Sequence, residues 1–428
     1  MKIELKIVHS QRVHPGTTGS SIFFDELSKE LSKKGHHVSI FTSDLKRWYH
    51  NFDFYPNQEY YKAKIRIKHV PYTIFRFINS RFAYSRKYFY FKIFDRILFR
   101  LEHGITKFLE SLFNRLNSAL LWGLFQDELG WKMLYCLKKE ENNIIHTTCV
   151  PRSCIVASLL IARKKKIPIM ISPFYHYSDR SFNTYDKFWM RILNKFDCIN
   201  VCTDAERNYL INHGVNRNKI VKICLGISLK NPITNINVNW KNRLNIPEDK
   251  FTVLYMNASI NDIQKGILQV IGASIKLQDV EFIFAGNDIN AWNDLISIFF
   301  PNEKLKNSHY IDYVLEEEKR SLFKAVDLIV RPSINEALGI VYLEGMREGK
   351  PIITSNIESM KEISKGVGLN VKYGDVDALV NAIQRLKLDR DLYQTFSENA
   401  KKRSKYYSWE NVAKKFEKIY KILVKHYN

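Results

Sequence analysis

The sequence predicts an α/β protein built from two domains, each with a doubly wound parallel sheet covered by helices. Short apolar runs alternate with amphipathic helical segments through both halves of the chain, which is typical of such sheets. The chain has 428 residues, enough for two domains of roughly 200 residues each. A polar, turn-rich stretch at 231–239 separates the halves. We therefore expect an N-terminal domain at 1–230 and a C-terminal domain at 240–407.

The N-terminal half begins with two apolar runs that are joined by a glycine-containing loop and a helix. The helix is predicted for 20–34 and ends at Gly35. Glycine lets a backbone approach a ligand closely, so the loop with Gly16 and Gly19 is either a ligand-binding loop or a simple turn. The strands predicted for this half are 4–9, 37–43, 144–147, 167–172, 198–203 and 220–225.

The C-terminal half repeats the alternation of strands and helices. An amphipathic helix is predicted for 408–428, after the last strand. The strands predicted for this half are 251–256, 280–285, 328–331, 351–354 and 368–371.

The most informative stretch of the chain is a buried strand that leads through a short loop into a helix. The apolar run 326–330 predicts the strand, and Gly349 with the proline after it ends the helix. A helix N-terminus offers free N–H groups and a partial positive charge, which together bind anions. We therefore expect the backbone around Leu338, Gly339 and Ile340 to bind a diphosphate.

Two glutamates accompany this anion site. Glu336 lies in the loop before it, and Glu344 lies two turns later, so one carboxylate can reach the hydroxyls of a sugar and the other those of a ribose. The spacing alone also occurs by chance. The whole string is more specific: Pro-Ser-x-x-Glu, a glycine, an apolar run ending in Glu, and Gly-x-Pro-Ile-Ile resemble the signature of retaining glycosyltransferase family 4, the glycosyl transferases group 1.

The resemblance implies a GT-B fold, in which two Rossmann-like domains face a cleft and the helix at 408–428 returns to the N-terminal domain. It also implies transfer of a hexose from a nucleoside-diphosphate sugar to an acceptor hydroxyl, with retention at the anomeric carbon. Glu336 would support the cationic transition state, and Glu344 would bind the ribose. A lipid-linked glycan or a polysaccharide precursor is the acceptor that the resemblance suggests.

Further site residues are assigned by the same resemblance. The family carries Gly-Arg-x-x-x-x-Lys-Gly after the first strand of its second domain; Lys265 matches the lysine, but the arginine is missing. Lys265 is therefore the candidate diphosphate ligand, with a surface lysine as the alternative. Gly286 resembles the turn that meets the nucleobase, and Gly16 and Gly19 belong to the loop that lies against donor and acceptor.

The resemblance also singles out two histidines and one glycine. His176 follows a predicted strand at the sheet edge where ligands collect, and would stand beside the transferred sugar. A purely structural histidine is the alternative. His146 also fits a family position, but is expected to be packed in the interior. Gly226 matches the interdomain hinge element, although Leu225 replaces its asparagine.

No metal or other cofactor is expected. Asp375 and Asp377 imitate a metal-binding Asp-x-Asp, but they precede a predicted helix at 378–386, where aspartates cap the N-terminus. The cysteines form no metal-binding pattern and are expected to be buried thiols: Cys136, Cys149, Cys154, Cys198, Cys202 and Cys224.

The net charge of +22 predicts an anionic partner. No nucleic-acid-binding motif occurs, so nucleic acid is not expected. The segment 76–115 interleaves cations with aromatic residues and is either a surface for anionic membranes or a core-facing helix. No apolar run is long enough to cross a bilayer, and the first residues do not resemble a signal peptide. We expect a cytoplasmic protein, which would be peripheral to the cytoplasmic face of the membrane if 76–115 binds lipid.

Two other functions fit parts of the same pattern. A sugar-nucleotide 2-epimerase of the same fold would convert its donor without an acceptor. A noncatalytic basic protein would bind membrane or nucleic acid through its charge, with a sugar site that has decayed, as the missing arginine suggests.

Overall fold

The computed structural model describes residues 4–10, 19–43, 65–70, 128–148, 150, 153–175, 184–229 and 237–427. Helices and strands are numbered in chain order within these ranges. The strands are β1 Lys6–Ser10, β2 His37–Ser43, β3 Ile65–Val70, β4 Ile144–Thr148, β5 Ile169–Ser172, β6 Cys198–Val201, β7 Ile220–Lys222, β8 Thr252–Ser259, β9 Glu281–Asn287, β10 Ser308–Ile311, β11 Leu328–Arg331, β12 Ile352–Ser355 and β13 Gly368–Val371.

The strands form two separate parallel sheets. The first has seven strands in the order β3-β2-β1-β4-β5-β6-β7, and the second has six in the order β10-β9-β8-β11-β12-β13. Every pairing between neighbouring strands is parallel. The predicted fold class, α/β with two doubly wound parallel sheets, is thus confirmed.

Most of the described helices lie between successive strands, and the last three follow the final strand. Several are flanked by short 3-10 turns, of which one, Ile263–Lys265, carries a site residue. The helices are α1 Gly19–Lys33, α2 Glu128–Lys139, α3 Ser153–Lys165, α4 Thr184–Leu193, α5 Asp204–Asn212, α6 Trp240–Arg243, α7 Ile267–Lys276, α8 Ile289–Phe299, α9 Glu316–Ala325, α10 Ile340–Arg347, α11 Glu358–Ser364, α12 Val376–Leu388, α13 Arg390–Ser404 and α14 Trp409–Tyr427.

Two strands were absent from the sequence prediction, and both lie at the edge of a sheet. β3 has the sequence IRIKHV and β10 the sequence SHYI. An edge strand has one neighbour and is less enclosed than an inner strand, so polar and charged residues interrupt its apolar pattern. The inner strands, by contrast, lie close to their predicted bounds.

The last helix, α14, lies against the N-terminal domain. Its buried residues, such as Phe416 and Tyr420, fall on one face at helical spacing. The Tyr420 hydroxyl lies 2.5 Å from His146 Nδ1. Glu417 is ion-paired with Lys34 at 3.1 Å, just beyond α1. The helix therefore covers the start of the first sheet, although the second sheet precedes it in sequence.

The chain passes between the two domains at two places that lie side by side. Ile227 forms an isolated parallel bridge with Ser408. Its N–H donates to the Tyr407 carbonyl at 2.7 Å. Gly226 is required here, because a Cβ at this position would lie 2.4 Å from the Trp409 ring. The described part of the linker continues from residue 237 into α6.

Among the described residues, no helix is long and apolar enough to span a membrane. The basic, aromatic segment 76–115, which was predicted either to bind anionic membranes or to face the core, lies outside the described residues.

Candidate functional site

The site is assembled where β8 and β11 end, at neighbouring positions in the second sheet. β11 ends at Arg331, and a loop leads from there to α10. Gly339 caps α10 with φ 77°, a left-handed conformation that glycine adopts without strain. The first N–H groups of α10 therefore open directly after the loop, as the anion-site prediction requires.

Lys265 approaches this loop from the turn after β8. Its Nζ lies 3.2 Å from Glu336 Oε2 and 2.9 Å from the Asn335 carbonyl oxygen. Both side chains of the pair are largely buried, with 16% and 11% of their surface exposed. The structure thus brings together two residues that the sequence assigned to the same donor, although they are far apart in the chain.

Gly266 explains why the Lys265 turn has a fixed position. It has φ 82°, and a Cβ would lie 2.4 Å from the Pro332 carbonyl oxygen. Next to it, the Ile334 N–H donates to the Gln264 carbonyl at 2.9 Å. The turn therefore packs directly on the loop that carries Glu336.

A second cation, absent from the sequence prediction, contacts the same carboxylate. Arg331 Nη2 donates to Glu336 Oε2, and Arg331 Nη1 donates to Asn257 Oδ1 at 3.2 Å. The backbone of Glu336 is held as well, because Ser359 Oγ donates to its carbonyl at 2.8 Å. Glu336 is therefore fixed by side chains from β11, the Lys265 turn and α11. In the sequence, Arg331 was marked only by its position at the carboxyl end of a parallel strand.

Glu344, the second predicted glutamate, lies in the middle of α10 and pairs with Lys319 of α9 at 3.4 Å. Lys319 also contacts Glu316 at 2.6 Å. Burial raises the pKa of the Glu344 carboxyl, and the neighbouring Lys319 opposes that rise. Glu344 is thus half of a largely buried ion pair, and ribose binding by this residue stays a prediction.

Gly286 lies near the end of β9, where β8 approaches closely. A Cβ at Gly286 would lie 2.5 Å from the Asn257 carbonyl oxygen, so glycine is needed for packing there. The Tyr310 hydroxyl donates to the Gly286 carbonyl at 2.6 Å. Contact of Gly286 with a nucleobase stays a prediction.

Of the predicted site residues in the N-terminal domain, Gly16 and His176 lie outside the described residues. Gly19 is the first residue of α1 and not part of the preceding loop, which corrects the predicted helix start. Helix boundaries shift by a residue or two without any change in the sequence pattern.

The chain just before His176 is anchored by Glu206, which no sequence signal singled out. The Tyr175 N–H donates to Glu206 Oε1 at 2.8 Å, and the Cys202 N–H donates to Oε2 at 2.9 Å. Burial raises the pKa of Glu206 to about 7, and the two backbone N–H groups oppose that rise. The carboxyl ends of β5 and β6 are thereby joined beside the predicted sugar site.

His146 is a packed interior residue, as the sequence predicted. It is fully buried, and its Nε2 lies 2.9 Å from Ser172 Oγ. Burial holds the pKa of its imidazole well below the ordinary value, and the neighbouring His9 adds to this effect. A neutral imidazole can exchange hydrogen bonds with the hydroxyls around it.

The Asp-x-Asp pair acts at a helix start. Asp375 caps α12 by accepting from the Ala378 N–H. Asp377 lies within the first turn, not before the helix as predicted, and pairs with Lys276 at 2.5 Å. Within the described ranges, no group of His, Cys, Asp and Glu could hold a metal ion. Cys149 is outside those ranges. Cys154, Cys198 and Cys202 are buried, as predicted, whereas Cys136 and Cys224 are only half-buried.

Two family descriptions match the chain. "Glycosyl transferase 4-like domain" matches residues 18–226, and "Glycosyl transferases group 1" matches residues 237–403. The two matches lie on either side of the described interdomain crossing at Ile227, and together they cover most of the sequence.

Several curated relatives are named as glycosyltransferases. An uncharacterized glycosyltransferase of Methanocaldococcus jannaschii is 28% identical over 201 residues, which are 44% of this chain and 50% of the relative. The O-antigen biosynthesis glycosyltransferase WclY of Escherichia coli is 27% identical over 238 residues, which are 54% of this chain and 63% of the relative. The matches therefore span less than two thirds of the length of these two relatives.

Solved structures share the fold over nearly the whole chain. Sucrose-phosphate synthase from Thermosynechococcus elongatus superposes with a TM-score of 0.69 at 19% identity, covering 98% of this chain and 100% of that one. Anabaena HepE in complex with UDP-glucose gives a TM-score of 0.69 at 14% identity, covering 97% of this chain and 100% of that one. With both halves matched by family descriptions, the chain belongs to the glycosyl transferases group 1, glycosyltransferase family 4, and has the GT-B fold.

Proposed function

We propose that the protein moves a hexose from a nucleoside-diphosphate sugar to an acceptor hydroxyl, with retention at the anomeric carbon and without a metal. The observation that carries this proposal is the cluster of Lys265, Arg331 and Glu336 beside the N-terminus of α10. Cations and open backbone N–H groups suit a diphosphate, and a carboxylate beside them suits the attached sugar.

The proposed chemistry requires no covalent bond to the protein. The bond between the anomeric carbon and the β-phosphate oxygen breaks, and the acceptor oxygen bonds to the same face of the sugar. The departing phosphate takes the acceptor proton. Lys265 and the N–H groups near Leu338, Gly339 and Ile340 stabilise the negative charge that develops on the phosphate, and Glu336 stabilises the positive charge on the sugar. His176 would contact a sugar hydroxyl.

The proposed substrates follow from the relatives. WclY acts in O-antigen biosynthesis, and the HepE structure holds UDP-glucose. We propose a nucleotide sugar as donor, with a lipid-linked glycan or polysaccharide precursor as acceptor, at the cytoplasmic face of a membrane. The basic segment 76–115 would provide the contact with anionic lipid.

The test is a thermal-shift panel of UDP-, GDP- and ADP-sugars, because a ligand that binds the folded state raises Tm with its affinity and concentration. One donor series is expected to raise Tm. NMR then follows that donor with candidate acceptors and reads the anomeric configuration of the product. Inversion would contradict the proposed stereochemistry, interconversion of the donor sugar without an acceptor would indicate an epimerase, and no shift with any donor would contradict the function.

Glu344→Gln is expected to raise the donor KM about tenfold while changing kcat little. The variant keeps the side-chain volume but replaces one of the two carboxylate oxygens, which would accept hydrogen bonds from ribose hydroxyls, with an amide NH2 group. Steady-state kinetics with the donor from the panel measures both constants. Glu348→Gln is the matched control, since Glu348 is also a buried, ion-paired glutamate, 2.8 Å from Arg320, and caps the C-terminus of α10. Equal KM values for the two variants would exclude Glu344 from the donor site.

A further inference from the structure

The turn after β8 lacks the arginine that the family pattern places there. Residues 257–264 have the sequence NASINDIQ, so no cation precedes Lys265 in this turn. Ile260, in the middle of the segment, is fully buried and packs in the hydrophobic core of the second domain. The turn itself therefore offers one cation to a diphosphate.

Arg331 brings a guanidinium to the same place from the end of β11. Its residue surface is 8% exposed. Asn257 Oδ1 holds Nη1, and the Tyr342 ring lies 5.4 Å below the guanidinium carbon. These contacts fix the plane of the fork. Among the described residues, Arg331 Nε is buried without a hydrogen-bond partner.

The guanidinium also lies against the N-terminus of α10. A Cβ built on Gly339 would be 3.1 Å from Arg331 Nη2. The guanidinium of Arg331 therefore lies next to the first backbone N–H groups of α10. An anion at those N–H groups is within reach of the arginine as well, and the absence of a side chain at Gly339 leaves the approach clear.

The charge balance of the cluster favours a further anion. Lys265 and Arg331 both bond to the same oxygen, Glu336 Oε2. Of the described residues, these two cations and this one carboxylate leave one positive charge in excess, and their side chains are 9–16% exposed. Partly buried excess charge is costly unless an opposite charge accompanies it, and a phosphate supplies that charge.

We propose that Arg331 replaces the missing arginine of the family pattern and binds the terminal phosphate of the donor diphosphate. Glu336 is the counter-ion of Arg331 in the free protein, and the phosphate displaces it. Displacement turns the carboxylate toward the sugar, which is bonded to that phosphate. This inference rests on the proposed function, because it needs a nucleoside diphosphate in the site.

The test compares a nucleoside diphosphate with the matching monophosphate, which lacks the terminal phosphate. Isothermal titration with UDP and UMP, or with GDP and GMP or ADP and AMP where the donor panel selects that base, measures Kd. Arg331→Gln is expected to weaken diphosphate binding about tenfold to a hundredfold and to leave monophosphate binding nearly unchanged. Arg331→Lys, which keeps the charge without the fork, is expected to fall between the wild type and Arg331→Gln.

A second variant is expected to change diphosphate affinity in the opposite direction. Glu336→Gln is expected to tighten diphosphate binding several-fold, because the phosphate no longer competes with a carboxylate for the two cations. Because this variant removes the carboxylate and keeps both cations, its effect on affinity does not depend on whether Arg331→Gln folds. Circular dichroism checks that Glu336→Gln is folded. Arg320→Gln is the matched control, since Arg320 forms a buried ion pair with Glu348 away from the cluster.

Diphosphate affinity that is unchanged in Arg331→Gln, or that weakens in Glu336→Gln, would overturn the role of Arg331 and leave the proposed function standing. A parallel loss of monophosphate affinity in Arg331→Gln would also overturn it, because the arginine would then not read the terminal phosphate. A wild-type protein that binds none of the three diphosphates would overturn the proposed function and this inference together.

Discussion

Glu336→Gln lowers kcat by about 10²-fold to 10³-fold, the size expected when a preorganised charge is removed from the reacting centre. Glutamine has the same shape as glutamate but no negative charge to stabilise the cationic sugar in the transition state. Nucleotide binding is not lost, because the cations Lys265 and Arg331 remain in place. The loss therefore appears in kcat and not in donor KM, and steady-state kinetics separates the two.

Glu358→Gln is the control for this experiment. Glu358 belongs to α11, near the residue that holds the Glu336 backbone, but its side chain is 74% exposed and pairs with Lys361 on the surface. Its activity should match that of the wild type. A Glu336→Gln enzyme with wild-type kcat would remove Glu336 from the catalytic site, whatever its effect on binding.

Gly266→Ala is expected to lower the free energy of unfolding by about 2–5 kcal/mol and to weaken donor binding. Two costs combine. A non-glycine residue is strained at φ 82°, and the new Cβ collides with the Pro332 carbonyl, 2.4 Å away. Relief of that collision moves the turn off the loop and carries Lys265 away from Glu336. Urea unfolding followed by circular dichroism measures the first effect, and calorimetric titration with the selected diphosphate measures the second.

Gly366→Ala separates strain from collision. Gly366 has φ 73°, but a Cβ there would meet no atom within 4 Å. This variant should therefore lose only the roughly 1–2 kcal/mol of left-handed strain and bind donor normally. If the two alanine variants unfold at the same urea concentration and bind donor equally, close packing of the Lys265 turn contributes neither to stability nor to donor binding.

The sequence was most informative where the structural signal is local. Buried inner strands give continuous apolar runs, and such a run followed by a helical pattern located the strand, loop and helix from β11 to α10. The edge strands β3 and β10 escaped prediction because polar and charged residues interrupt their apolar pattern, so periodicity alone does not separate them from loops. The predicted start of α12, at residue 378, was two residues late, because a helix boundary shifts by a residue or two without changing its pattern.

The site was harder to predict, because its decisive contacts join distant parts of the chain. Lys265 and Glu336 could be named from a motif, but their contact follows from the neighbouring positions of β8 and β11. Arg331 ends an apolar run and resembles an ordinary strand boundary in the sequence. Its contact with Asn257 depends on the three-dimensional arrangement of the sheet. The roles of Glu344 and His176 remain predictions that the kinetic and structural experiments address.

The bridge between Ile227 and Ser408 has a mechanical consequence for the whole molecule. Among the described residues, the two chain crossings lie side by side, and Glu362 of α11 joins the domains as well by accepting from the Asp204 N–H at 2.7 Å. Arg347, at the far end of α10, is tied to these crossings by a 2.8 Å hydrogen bond to the Ser228 carbonyl. When the two domains turn relative to each other, residues near the crossings move least. We therefore expect α10 to shift less than the parts of each domain that lie far from the crossings.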